Sequence, residues 1–169
     1  GHMVDGNRDA WNTMMAMANA GLESDEAYRA IQEFVDVDNL IDQVILQHFI
    51  QNEDWCPENW YAGRKRTIPT VGFLFFAWDA EYSIYNVNLN TTLSDVADSP
   101  KRVYNALRAN PEFRMLFADH VHRHLFNGGA LTTEAATARW MARADEIDPA
   151  IVAESARWGD NWMRLHDNE

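Results

Sequence analysis

Residues 39–50, NLIDQVILQHFI, restrict the fold more than any other stretch of the chain. Leu40, Ile41, Val44, Ile45, His48 and Phe49 recur at helical spacing and form an apolar stripe too wide for a surface helix. Such a helix must be surrounded, so the rest of the chain has to pack around it. Asp38 can start it. Two helical patterns come before it. Residues 7–20 place Trp11, Met14, Met15 and Ala18 on one face and stop at Gly21. Residues 25–34 carry Tyr28, Ile31 and Phe34 or Val35 at the same spacing.

The period then changes. Residues 59–63, NWYAG, and 71–78, VGFLFFAW, are aromatic and β-branched and flank the polar segment RKRTIPT, which predicts two short antiparallel strands. Alternation puts Phe73 and Phe75 on one face and Leu74 and Phe76 on the other. A hairpin held between helices buries both faces. The aromatic cluster of Trp55, Trp60, Tyr61, Phe73, Phe75, Phe76 and Trp78 therefore reads as core rather than as a carbohydrate platform. Residues 83–99 keep no helical stripe and read as an ordered, irregular loop able to lie across a cleft.

The remainder is helical. Ser99-Pro100 is a cap followed by proline at the first helical position. Asn110-Pro111-Glu112 starts another helix, with Phe113, Leu116, Phe117, Val121, His124 and Leu125 facing inward, and Asn127-Gly128-Gly129 ends it. A helix over 132–147 and a separate one over 149–158 follow. Trp158, Trp162 and the tail HDNE read as a docking helix with a frayed end. The fold class is α+β, mostly helical, with a small antiparallel β-hairpin.

A chain of 169 residues, 47% hydrophobic and with seven Trp, fits one folded domain. The net charge of -12 argues against a nucleic-acid or anionic-membrane partner and favours a bound divalent cation. Cys56 is the single cysteine, so no internal disulfide can form. No apolar run is long enough for a membrane span. Gly1-His2-Met3 reads as an expression scar, with a single lobe over 4–169.

Two acidic residues bracket the hairpin. Asp54 follows the central helix, Asn59 comes five residues later, and Asp79 directly follows the strand FLFFAW. Antiparallel pairing brings the start of the first strand next to the end of the second. Two carboxylates and an amide near one point make the hard-oxygen set that Mg²⁺ prefers. Protein kinases use the same order: a catalytic-loop Asp, an Asn five residues on, and a metal-binding Asp after a hairpin. The competing reading makes these residues ordinary caps and turn formers. A second constellation, HVHRH, places His120 and His124 one turn apart, where Asp119 or Glu112 would be the third ligand of a zinc site. The interleaved Phe117, Val121 and Leu125 favour core or helix-surface histidines. His48 likewise reads as a hydrogen-bonded core histidine.

Asp54-Trp55 with Asn59-Trp60-Tyr61, and Trp78-Asp79, set within DNLIDQVILQHFIQNEDWCPENWYAGR and SPKRVYNALRANPEFRMLFADHVHRHLFNGGALT, resemble the spore-coat protein H (CotH) kinase family. The resemblance runs from about Asp5 to Gly159. It implies the C-terminal lobe of an atypical, protein-kinase-like fold that transfers phosphate from ATP to Ser or Thr of a protein substrate with Mg²⁺ or Mn²⁺. It implies Asp54 as the catalytic aspartate, and Asn59 and Asp79 as metal ligands. Glu81 would be a minor supporting group. Glu58 stands where many relatives carry a second Asn. A spore coat or cell-envelope setting is implied as well.

A kinase also needs a cation to anchor the nucleotide phosphates. The chain has two lysines, Lys65 in the hairpin turn and Lys101 opening a helix, and no Gly-rich loop before Asp54. Arg64 and Arg66 lie in the turn. The expectation is that the N-terminal nucleotide lobe is absent from this chain, which alone has little or no kinase activity. The alternative is a non-catalytic coat or envelope assembly module on the same fold.

Overall fold

A computed structural model describes residues 3–86 and 88–166, with side chains described as far as residue 159. Trp162 and the tail 167–169 of the expected docking helix thus lie outside the described side chains. The described residues are α+β and mostly helical, and fall into two compact units, Gly1–Val121 and His122–Glu169. No described helix is long and apolar enough to cross a membrane.

The first unit contains α1 (Asp9–Ala20), α2 (Asp25–Ile31), α3 (Val37–Phe49), β1 (Trp60–Gly63), β2 (Leu74–Ala77), a 3-10 turn (Thr91–Leu93), α4 (Pro100–Leu107) and most of α5 (Pro111–Leu125). Leu40, Ile41 and Val44 of α3 are fully buried, as the wide stripe requires. Helix α3 starts at Val37 because Asp36, rather than Asp38, is its cap and accepts from the Asn39 amide at 2.9 Å. Helix α2 closes early at Ile31. The chain then leaves the helix so that Phe34 and Asp36 can bond to Phe73, at 2.8 and 3.1 Å. A Cβ on Gly72 would lie 2.3 Å from the Val35 carbonyl carbon, so only glycine permits this approach.

The hairpin hangs on α3. β1 and β2 are antiparallel, with Trp60 opposite Ala77 and Gly63 opposite Leu74. On the other edge of β2, the Asn39 amide takes the place of a neighbouring strand. It accepts from Phe75 N at 2.6 Å and donates to Phe75 O at 3.2 Å. Two such bonds to a part-buried backbone contribute about 2 kcal/mol. The inner face carries Phe75, fully covered, and Trp11, whose ring stacks on Trp60 at 5.2 Å. The outer face corrects the expectation of a hairpin buried on both sides. The cross-strand partners Tyr61 and Phe76 are 47% and 48% exposed, and Trp78 is exposed too. Alternation assigned the two faces correctly, but it carries no information on whether anything covers the second.

Residues 83–99 are irregular apart from the 3-10 turn, as expected for the residues described. Ser99 caps α4, accepting from Arg102 N at 3.4 Å and donating to Val96 O at 2.6 Å. Asn110 starts α5 by accepting from Phe113 N at 3.1 Å. Phe113 is buried, but Leu116, Phe117 and Val121 are only half-buried. The residue of α5 that reaches the core is His120. Its two ring nitrogens lie 2.6 Å from Asp42 Oδ1 and 2.9 Å from Asp38 Oδ1, both on α3. Asp119 and Glu112, weighed as a third ligand beside the histidines, are exposed, and the favoured reading of a core histidine describes His120.

The second unit holds the end of α5, a tight turn and α6 (Thr133–His166). Gly129 N bonds Phe126 O at 2.8 Å, and a Cβ on Gly129 would lie 2.2 Å from Arg123 O. The chain therefore folds back on the helix end only with glycine there. Thr132 caps α6, accepting from Ala135 N at 3.3 Å. The two helices expected over 132–147 and 149–158 are one. Pro149 lies inside α6, removing one intrahelical hydrogen bond without ending the helix.

Candidate functional site

The three polar residues singled out in the sequence stand on the loops at one end of the hairpin. After α3, Asn52 turns the chain by accepting from Asp54 N at 3.2 Å. The next residues curl tightly, with Glu58 N bonded to Asp54 O and Cys56 N bonded to Glu58 O, each at 3.2 Å. Trp55 and Cys56 are buried beneath this turn, and Asp54 remains half-buried above them. Burial pushes the Cys56 thiol up to about 12, against the opposing pull of Lys101 and Ser99, so this cysteine is an inert anchor. Asn59 then enters β1.

On the returning side, β2 ends at Ala77, and Asp79 is exposed two residues later. Because Trp60 faces Ala77, Asn59 and Asp79 flank the same end of the ladder. The segment after Asp79 comes back to the loop before Asp54. Glu53 N bonds Tyr82 O at 3.3 Å, Ile84 N bonds Ile50 O at 2.9 Å, and the Tyr85 hydroxyl donates to Glu53. The two loops are thus tied to each other backbone to backbone.

The backbone at this end is unusual. Gln51, Cys56, Asn59, Asp79 and Ile84 all have positive φ, five of the seven such non-glycine residues among those described. Asn and Asp tolerate this region best, whereas Gln51, Cys56 and Ile84 are held in it by the two loops. A groove of about 870 Å³ opens beside Asn59, between Trp11, Trp60, Tyr61 and Trp78. Arg64 and Arg66 also line it, but both are engaged. Arg66 pairs with Asp5 at 2.7 Å, and Arg64 lies over the rings of Phe34 and Phe73. Asp54 and Asp79 are not among the lining residues. Glu81 is exposed.

One residue under the site does more than its place at a helix start indicates. Lys101 does open α4, but its side chain is fully buried. The ammonium lies 5.3 Å from the Trp55 ring and donates to Ser94 Oγ at 2.6 Å and to Thr91 O. It therefore joins the floor of the Asp54 loop to the 91–94 segment. Burial holds its pKa below the usual 10.5. No local signal marks a buried lysine in a first turn that also holds Pro100, Arg102 and Val103. The partners Trp55 and Thr91 lie 46 and 10 residues away.

A family model described as CotH kinase protein matches residues 3–162 of the chain. No curated protein and no solved structure matches it.

Proposed function

The chain belongs to the CotH kinase family, and from that premise we propose that it is the metal-binding, catalytic lobe of an ATP-dependent protein kinase acting on Ser or Thr. The observation that supports this most is the mutual bonding of the loops carrying Asp54, Asn59 and Asp79. Asp54 orients the acceptor hydroxyl and takes its proton. The side-chain oxygens of Asn59 and Asp79 would hold Mg²⁺ or Mn²⁺, and a carboxylate with an amide oxygen suits such hard cations. When bound, the ion supplies positive charge to the nucleotide phosphates. Trp55 and Cys56 fix the turn from below and exclude water, which strengthens the electrostatics above them.

The cation that anchors the nucleotide phosphates comes, in this reading, from outside the chain. Lys101 is buried and Lys65 sits exposed in the hairpin connection. The chain by itself then transfers little or no phosphate.

The test is metal-dependent melting. Mn²⁺ is expected to raise the Tm of the chain by several degrees. Asp79→Ala should remove most of that rise and Asn59→Ala a large part of it; Asp79 is exposed, so its variant stays folded without metal, and the response of the variant at half-buried Asn59 is read against its own metal-free Tm. An unchanged Mn²⁺ response in Asp54→Ala and Asp79→Ala alike would sink the catalytic reading. The second reading, a non-catalytic assembly module in a coat or envelope, rests on the open aromatic face of Tyr61, Phe76 and Trp78. It predicts no metal response at all.

A further inference from the structure

Helix α6 is 34 residues long, and the large apolar side chains among its described residues are exposed to solvent. Trp140, Ile147, Ile151 and Trp158 are 68%, 49%, 49% and 43% exposed. Their spacing is seven, four and seven residues. At about 100° per residue these four fall within roughly 40° of one another around the helix, a single narrow seam. Pro149 projects from the opposite side, so the hydrogen bond it removes lies away from the seam.

The seam reads the same from either end. Its centre of symmetry is residue 149, about which Trp140 exchanges with Trp158 and Ile147 with Ile151. A palindromic seam suits an antiparallel pair of identical helices, because a two-fold axis presents each residue to its mirror position on the partner and here sets Trp against Trp and Ile against Ile. The flanks agree. In that register Arg143 lies beside Glu154 of the other copy, on the same side of both seams. Arg143 is bonded within its own helix to Glu146, which leaves Glu154 as the additional acid it would meet on pairing. Met141 and Val152 lie about 100° and 120° round the helix from Trp140, outside the seam, so the four seam side chains and their immediate flanks would cover on the order of 500 Å² of mostly apolar surface per copy, at the low end for a specific interface. In a parallel pair Arg143 and Glu154 of the two copies would lie 11 residues, about 16 Å, apart along the axis, so only the antiparallel register brings them together.

We propose that α6 is a self-association element, through which two copies of this chain pair antiparallel about residue 149. The seam is not part of the Asp54, Asn59 and Asp79 site, so this stands whether or not the catalytic reading does.

Sedimentation equilibrium of the chain should show a mass rising with concentration from 19.4 kDa toward twice that value. Pairing should be evident at tens to hundreds of micromolar, the range of a small, weak interface. Ile147→Glu with Ile151→Glu should weaken pairing at least tenfold while leaving the circular dichroism of the exposed helix helical. Arg143→Glu should weaken it severalfold, and Arg143→Glu with Glu154→Arg should restore it. Spin labels on an Ala138→Cys variant should then lie roughly 33 Å apart along the axis. The buried Cys56 takes no label. A monomer at several hundred micromolar, a dimer indifferent to the Ile variants, growth beyond two copies, or labels brought side by side would each overturn the proposal.

Discussion

Denaturant unfolding at pH 7 and again at pH 4.5 should show the chain losing on the order of 2–3 kcal/mol, and His48→Gln should lose most of that difference. Burial pushes the His48 imidazole down from 6.5 to about 4, with Lys101 and Arg108 acting in the same direction. The sign follows from proton counting. Between pH 6.5 and about 4 the unfolded chain carries a proton on this ring and the folded chain does not. Acid therefore favours unfolding across that window, and the stability is regained as pH rises through it. The structure gives the reason. Nδ1 lies 3.3 Å from Thr91 Oγ1, the rings of Trp55 and Tyr104 meet the imidazole edge-on, and Nε2 is buried without a hydrogen-bond partner. Asp98 does not confuse the measurement. Burial alone would raise its carboxyl, but the bonds from Trp11 and Arg8 outweigh that and hold it below 3.8, so its contribution is lost only at still lower pH. Equal pH dependence in wild type and His48→Gln would show that the ring is solvated in the folded state.

His48 also shows where sequence reasoning succeeds. Its place on the apolar stripe of α3 led to its packing against Trp55 and Tyr104, although it is half-buried and Phe49, where the helix ends, is 37% exposed. Ser99-Pro100 and Asn110-Pro111 were equally readable, since a cap and its first turn lie within four residues of each other. The antiparallel hairpin was legible from alternation and composition. What escaped depends on residues far apart in the chain. Asp38 and Asp42 meet His120 across about eighty positions. Phe76 is exposed because no partner covers that face, a fact that no local pattern encodes. The break expected at Pro149 was wrong for another reason. One lost hydrogen bond costs about 3 kcal/mol in a helix interior, and a helix long enough on both sides can absorb it. At the site, the order Asp54, Asn59, Asp79 was readable. The ties between Glu53 and Tyr82 and between Ile84 and Ile50 were not, because they join main-chain atoms and leave no trace in side-chain pattern.

Lys101→Ala should destabilise the chain by about 2–4 kcal/mol, whereas Lys101→Met should change its stability by less than about 1 kcal/mol. The split separates two roles of one side chain. The four methylenes fill space beside Trp55 and Cys56, and truncation to Ala leaves a cavity there. The ammonium is held by neutral acceptors, Thr91 O and Ser94 Oγ, and by the face of a ring, so its desolvation is only partly offset. Met keeps the volume and removes that penalty along with the hydrogen bonds, and the two changes nearly cancel. Ser94 is exposed and can bond water instead. The two variants should nonetheless share one effect. Without the ammonium, nothing ties the 91–94 segment to the floor of the Asp54 loop at this point, so the segment's amides should exchange faster with solvent in both. The Met variant should keep its Mn²⁺ response, because the turn over Trp55 and Cys56 stays packed; the Ala variant should lose part of it. If Met proved as damaging as Ala, the charge rather than the volume would be what holds the loop. If neither changed exchange at 91–94, Lys101 would be a packed side chain and no tether.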